Sequence, residues 1–164
     1  MSPPRDAPGA GQESVWDYPR PPRLEEEPRP VRIVLDGATI ARSAAVLRVL
    51  ETSHPPVYYL PPGDIIPGAV SAGEGRSYCE WKGEATYLDV TVGDRREAAA
   101  AWRYDRPAKR FAALAGFVAF YAHRMDECWV GDERAAAQPG NFYGGWVTSW
   151  VVGPFKGVPG SWGW

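Results

Sequence analysis

The stretch SYCEWKGEATYLDVTVGDRREAAAAWRY, Ser77 to Tyr104, decides the class of fold. Turn signals at Lys82-Gly83 and Gly93-Asp94 cut it into three runs, and in the middle run Leu88, Val90 and Val92 recur at every second position. A period of two places these side chains on one face of a strand, so the segment predicts an antiparallel meander with one face against a core. Upstream, VRIVLDGATIAR (Val31 to Arg42) flanks Asp36-Gly37 with two β-prone runs, the strongest short hairpin signal. Downstream, ECWVGDERA predicts another hairpin about Gly131-Asp132.

Two segments between these runs read as helical. Ser43 is placed to cap a short helix carrying Val46, Leu47 and Leu50 on one side, and Pro55 keeps His54 out of the helical region, so the chain leaves extended as strand 57–60. Pro107 suits a first helical turn, and Phe111, Leu114, Val118, Tyr121 and Met125 follow at steps of three and four, which predicts one principal amphipathic helix ending near Met125. The expected class is mainly β, of the α+β type: antiparallel sheets and hairpins, one principal helix and a wrapped aromatic tail.

The ends differ in composition from this body. Residues 1–30 hold eight of the 17 prolines and no periodic apolar pattern, so they are expected to form an extended arm that docks from about Trp16 onward. Residues 31–138 form the globular core. Residues 139–164 carry four of the eight tryptophans among glycines, too apolar for a free tail and too rich in glycine for a helix, so they are expected to wrap and pack on the same domain.

With 164 residues, 45% of them hydrophobic, the chain suits one domain, and a net charge of -2 offers no basic footprint for nucleic acid. No apolar run approaches a membrane span and no leader pattern opens the chain, so a cytoplasmic protein is expected. Cys79 and Cys128 are too few for a disulfide framework, and with His54 and His123 they match no familiar zinc spacing; neither metal nor cofactor is expected.

The combination of VLETSHPPVYYLPP, CEWKGEATY, AWRY, LAGFVAFYAHRMD and FYGGWVTSWVVGPFKG resembles bacterial proteins of the DUF427 family, a domain of unknown function, over about residues 31–130. The resemblance implies a compact, mainly β domain with one principal helix. Some family naming carries a nucleotidyltransferase label, but the Gly-Ser turn and paired carboxylates that would hold metal beside a triphosphate are not found in the sequence.

Candidate site residues gather on three segments. In ETSHPPVYY, Glu51 is expected to meet a cation, Lys82 or an arginine; His54 is held extended by Pro55 and Pro56 and is placed to exchange a proton; Tyr58 or Tyr59 offers a ring. In CEWKG, Cys79 and Trp81 share a strand face while Lys82 falls on the other or in the turn, so Cys79 reads as a buried structural thiol and Lys82 as the charge that neutralises a ligand. Trp102 and Tyr104 supply a third wall. VGPFKGVPG is a weak anion motif lacking phosphate-loop spacing, and FYGGWVTSW offers aromatic faces that packing or a subunit interface would also use. These residues suit a small anionic or aromatic ligand, with no catalytic residue assigned; the rival reading is an interaction module, a homodimer joined through aromatic arm and tail.

Overall fold

The turn residues close hairpins as their chemistry demands in the computed structural model, which describes residues 2–164. Asp36 and Gly37 both take positive φ (50° and 76°) between paired Leu35 and Ala38, and Gly93-Asp94 and Gly131-Asp132 join Val92 to Arg95 and Val130 to Glu133. From the N-terminus the strands are β1 (Glu13–Ser14), β2 (Arg23–Glu27), β3 (Val31–Leu35), β4 (Ala38–Ser43), β5 (Val46–Leu50), β6 (Val57–Tyr59), β7 (Val70–Cys79), β8 (Gly83–Val92), β9 (Arg95–Arg103), β10 (Val118–Phe120), β11 (Glu127–Val130), β12 (Glu133–Arg134), β13 (Ala136–Ala137), β14 (Trp146–Val147) and β15 (Val151–Val152). They form four-stranded sheets in the orders β10-β9-β8-β7 and β12-β11-β3-β4, a three-stranded sheet β2-β5-β6, and the pairs β13-β14 and β1-β15. All pairings between these named strands are antiparallel except β1 with β15.

The meander is present, and Leu88 and Val90 enter the main core with Ile33, Leu35, Phe120 and Trp146. The expected turn at Lys82-Gly83 is displaced: Cys79 pairs directly with Gly83, so Glu80, Trp81 and Lys82 make the loop.

Both expected helices are corrected. Among the described residues the only helical segments are 3-10 turns of three to six residues, so the fold is mainly β rather than α+β. In place of a helix over 43–50, β5 runs centrally between β2 and β6; β-branched Val46 and Val49 suit it, and Arg48 lies opposite Glu25 across the pair. Ser43 does cap a local turn, its Oγ accepting the Ala45 amide at 3.0 Å, but the turn leads into a strand. In place of the principal helix, a 3-10 segment over Lys109–Leu114 ends near Gly116, whose φ of +77° stops it, and β10 follows. Val118, Ala119 and Phe120 are all buried, and β10 pairs with the edge of β9 while Val118 exchanges two 2.8 Å backbone hydrogen bonds with Leu60. A helix buries one stripe, whereas this short strand buries both faces and satisfies two neighbours. Phe111, Leu114, Val118 and Met125 are inside as the spacing implied, without the helix.

The arm and tail join each other within the chain. β2 lies inside the proline-rich segment, and docking begins before Trp16: Asp6 donates to the Gly153 carbonyl and β1 pairs with β15. Arg48, mostly covered, binds Glu13 through both terminal nitrogens (3.0 and 3.1 Å) and Glu25 through Nε (2.7 Å), tying the arm to β5. In the tail, Trp146 packs on Tyr58 with ring centroids 5.1 Å apart and donates from Nε1 to the Phe120 carbonyl. No helix among the described residues is long and apolar enough to cross a membrane.

Trp146 is 1% exposed and Trp162 is 78% exposed, which separates their contributions to stability. Trp146→Ala is expected to cost about 3–5 kcal/mol and lower Tm by roughly 10 °C, whereas Trp162→Ala stays within about 0.5 kcal/mol of the parent. Thermal and urea denaturation of the two variants check this; equal losses would show that the tail is not anchored through Trp146.

Candidate functional site

The segment 51–56 owes its stiffness to more than its prolines. After β5 the chain turns so that the His54 amide donates to the Glu51 carbonyl (3.0 Å), and Ser53, fully buried, takes a φ of +73°. The Ser53 amide donates to the Val15 carbonyl (3.0 Å) and its own carbonyl accepts from the Lys156 amide (2.9 Å). The Thr52 hydroxyl donates to the Tyr18 carbonyl (2.5 Å). Arm and tail therefore hold this turn from both sides.

Facing the turn is a cavity of about 490 Å³, and eight of the nine candidate residues border it: Glu51, His54, Tyr59, Cys79, Trp81, Lys82, Trp102 and Tyr104. The exception is Tyr58, which the alternation of β6 sends into the core against Trp146. Trp102 meets Tyr59 edge-on at 6.4 Å and lies 4.6 Å from Tyr121, while Tyr104 is 6.4 Å from Tyr59, so the floor is a continuous aromatic surface.

Of the two cations expected for Glu51, the arginine is the one found. Glu51 is not within ion-pair distance of Lys82; its near cations are Arg20 (3.8 Å) and, when charged, His54 (3.7 Å). Cys79 is half-buried rather than buried, and the loop of residues 80–82 folds Lys82 back toward the same cavity, so thiol and ammonium are neighbours despite the strand-face argument. Cys128 is the buried thiol, pushed up to about 12 by its burial.

Lys82 Nζ lies 5.8 Å from the Tyr104 ring centroid. Burial opposes its charge, but the Tyr59 phenol, the Cys79 thiol and the Glu51 carboxylate outweigh that, and its ammonium titrates above the ordinary lysine value. Burial also raises the Tyr59 and Tyr104 phenols, which stay protonated at neutral pH. His54 is different. Burial, then Lys156, Arg20 and Lys82, push it down to about 3, so it is neutral near pH 7.

Several lining residues lay beyond local reading. Gln138 bonds His54 Nδ1 at 3.0 Å, Tyr143 meets the His54 ring edge-on at 4.9 Å, and the Lys156 ammonium sits 5.6 Å from the Tyr143 ring. The aromatic Gly run and the weak anion motif signalled Tyr143 and Lys156; nothing local marked Gln138. Gly144 presses on the floor so closely that a Cβ there would stand 2.0 Å from Trp102 Cη2.

No curated protein matches the sequence. Glu51 through Tyr104 lie within the segment 23–131 that matches the family model described as a domain of unknown function, DUF427, whereas Gln138, Tyr143 and Lys156 follow it. That match spans well over half of the chain, which therefore belongs to the DUF427 family.

Proposed function

We propose that the cavity binds a small anionic molecule with a flat body, its charge on Lys82 and its body against Tyr59, Trp102 and Tyr104. One observation carries this reading: Lys82 brings its ammonium into an aromatic cavity where, among the described residues, no carboxylate lies within ion-pair distance of it. A charge drawn out of bulk water without a fixed counterion favours any anion that reaches it, and low local polarity strengthens the bond. The volume suits a molecule of metabolite size. No bond-making step is assigned to these residues.

Calorimetry with a panel of aromatic carboxylates, sugar phosphates and nucleotides tests the reading. Anions are expected to bind the parent and to lose affinity roughly tenfold or more in Lys82→Met, as loss of a hydrogen bond between charged groups implies, while the variant melts close to the parent. Neutral analogues binding as tightly as anions, or Lys82→Met binding unchanged, would overturn it.

His54 gives a pH test. Its folded value of about 3 lies below the ordinary 6.5, so on acidification the unfolded chain takes up a proton that the native chain refuses, and stability falls as pH drops from 6.5 toward 3. The loss is expected to reach about 2 kcal/mol at pH 5. In His54→Gln this slope between pH 6.5 and 5 shrinks to the part left by His123, which burial and Arg124 also hold down, and by the Glu13 and Glu97 carboxyls, which lie below their ordinary values. Urea titrations at each pH measure it, and identical slopes would show that His54 is not held neutral.

A further inference from the structure

We infer that the cavity grips a ligand hydroxyl group between His54 and Glu51, so that its ligand is a hydroxylated anion such as a hydroxy acid or a sugar phosphate. This rests on the anion-binding reading above and adds a second point of recognition to it.

The inference begins at Gln138, whose amide can be oriented without ambiguity. The Gly145 backbone N–H donates to its Oε1 (3.0 Å), which fixes the oxygen, and its Nε2 donates to the Lys156 carbonyl (2.9 Å). The remaining N–H of that amide points at His54 Nδ1, 3.0 Å away. Nδ1 must therefore accept, and a neutral imidazole with an accepting Nδ1 carries its proton on Nε2. Gln138 is thus a positioning residue that makes His54 a fixed donor.

His54 Nε2 lies 3.7 Å from Glu51 Oε2, and both residues border the cavity. That separation is too long for a hydrogen bond between them, yet short enough for one atom to reach both. Such an atom must accept from Nε2–H and donate to the carboxylate. A hydroxyl oxygen does both; a carbonyl, an ether or a carboxylate cannot donate, and an ammonium cannot accept. Water can occupy the position in the free protein and yield it to an alcohol that reproduces its bonds. Arg20 Nε, 3.8 Å from the same carboxylate oxygen, is beyond hydrogen-bond distance of it, which leaves Glu51 able to accept from the cavity side.

Two measurements test this on the full chain. Nitrogen-15 NMR of the free protein is expected to show His54 Nδ1 unprotonated and Nε2 protonated at neutral pH, and Gln138→Glu, whose carboxylate can only accept, is expected to move the proton to Nδ1. Calorimetry then compares molecules that differ by one hydroxyl: mandelate with phenylacetate, and ribose 5-phosphate with 2-deoxyribose 5-phosphate. In at least one pair the hydroxylated member is expected to bind roughly tenfold tighter, and Glu51→Ala is expected to abolish that preference. A proton on Nδ1 in the parent, or no preference within either pair, overturns the inference. Equal affinities that still depend on Lys82 would sink the hydroxyl site alone, whereas absence of anion binding would sink the parent reading with it.

Discussion

Ser53 has its amide bonded to the N-terminal arm at Val15 and its carbonyl bonded to the C-terminal tail at Lys156, and it sits fully buried with a positive φ between Glu51 and His54. A serine is costly in that backbone region, on the order of 1 kcal/mol, and it persists because three remote segments meet there. Around it Thr52 reaches Tyr18, and Arg20 reaches Thr52 and Trp164. The turn that carries Glu51 and His54 is therefore positioned by chain ends that are far from it in sequence.

This dependence explains why the cavity is a property of the whole chain. Its floor comes from β6 and β9, one side from the β7–β8 loop with Lys82, and the other from the turn and the tail. Lys156 contributes its amide to Ser53, its carbonyl to Gln138 and its ammonium to the face of Tyr143, so one tail residue supports backbone, tautomer and charge together. The protein as a whole carries a net charge of -2, yet His54 feels three cations, Lys156, Arg20 and Lys82. Local arrangement, not overall charge, sets the electrostatics of the site.

The hairpins were legible because their information is local: Asp36-Gly37 satisfies positive φ wherever it occurs, and alternation along β8 assigns a face without reference to a partner. The two expected helices give way to strands for one reason. Val46, Leu47 and Leu50, and Phe111, Leu114, Val118, Tyr121 and Met125, fall at spacings that suit a helix, yet Val46 to Leu50 and Val118 to Phe120 pair with strands elsewhere in the chain, and no local spacing encodes those partners.

Local sequence is enough for the meander, the Asp36-Gly37 hairpin, the inward positions of Phe111, Leu114, Val118 and Met125, and eight of the nine candidate residues that border the cavity, since turn chemistry and period depend on neighbours along the chain. Tertiary structure alone decided that Tyr58 faces the core, that Lys82 folds back beside Cys79 without pairing to Glu51, and that Gln138 fixes the proton of His54. Each of these follows from contacts between segments distant in sequence: a hydrogen bond spanning 84 residues leaves no local pattern, because neither partner's neighbours need differ for it to form.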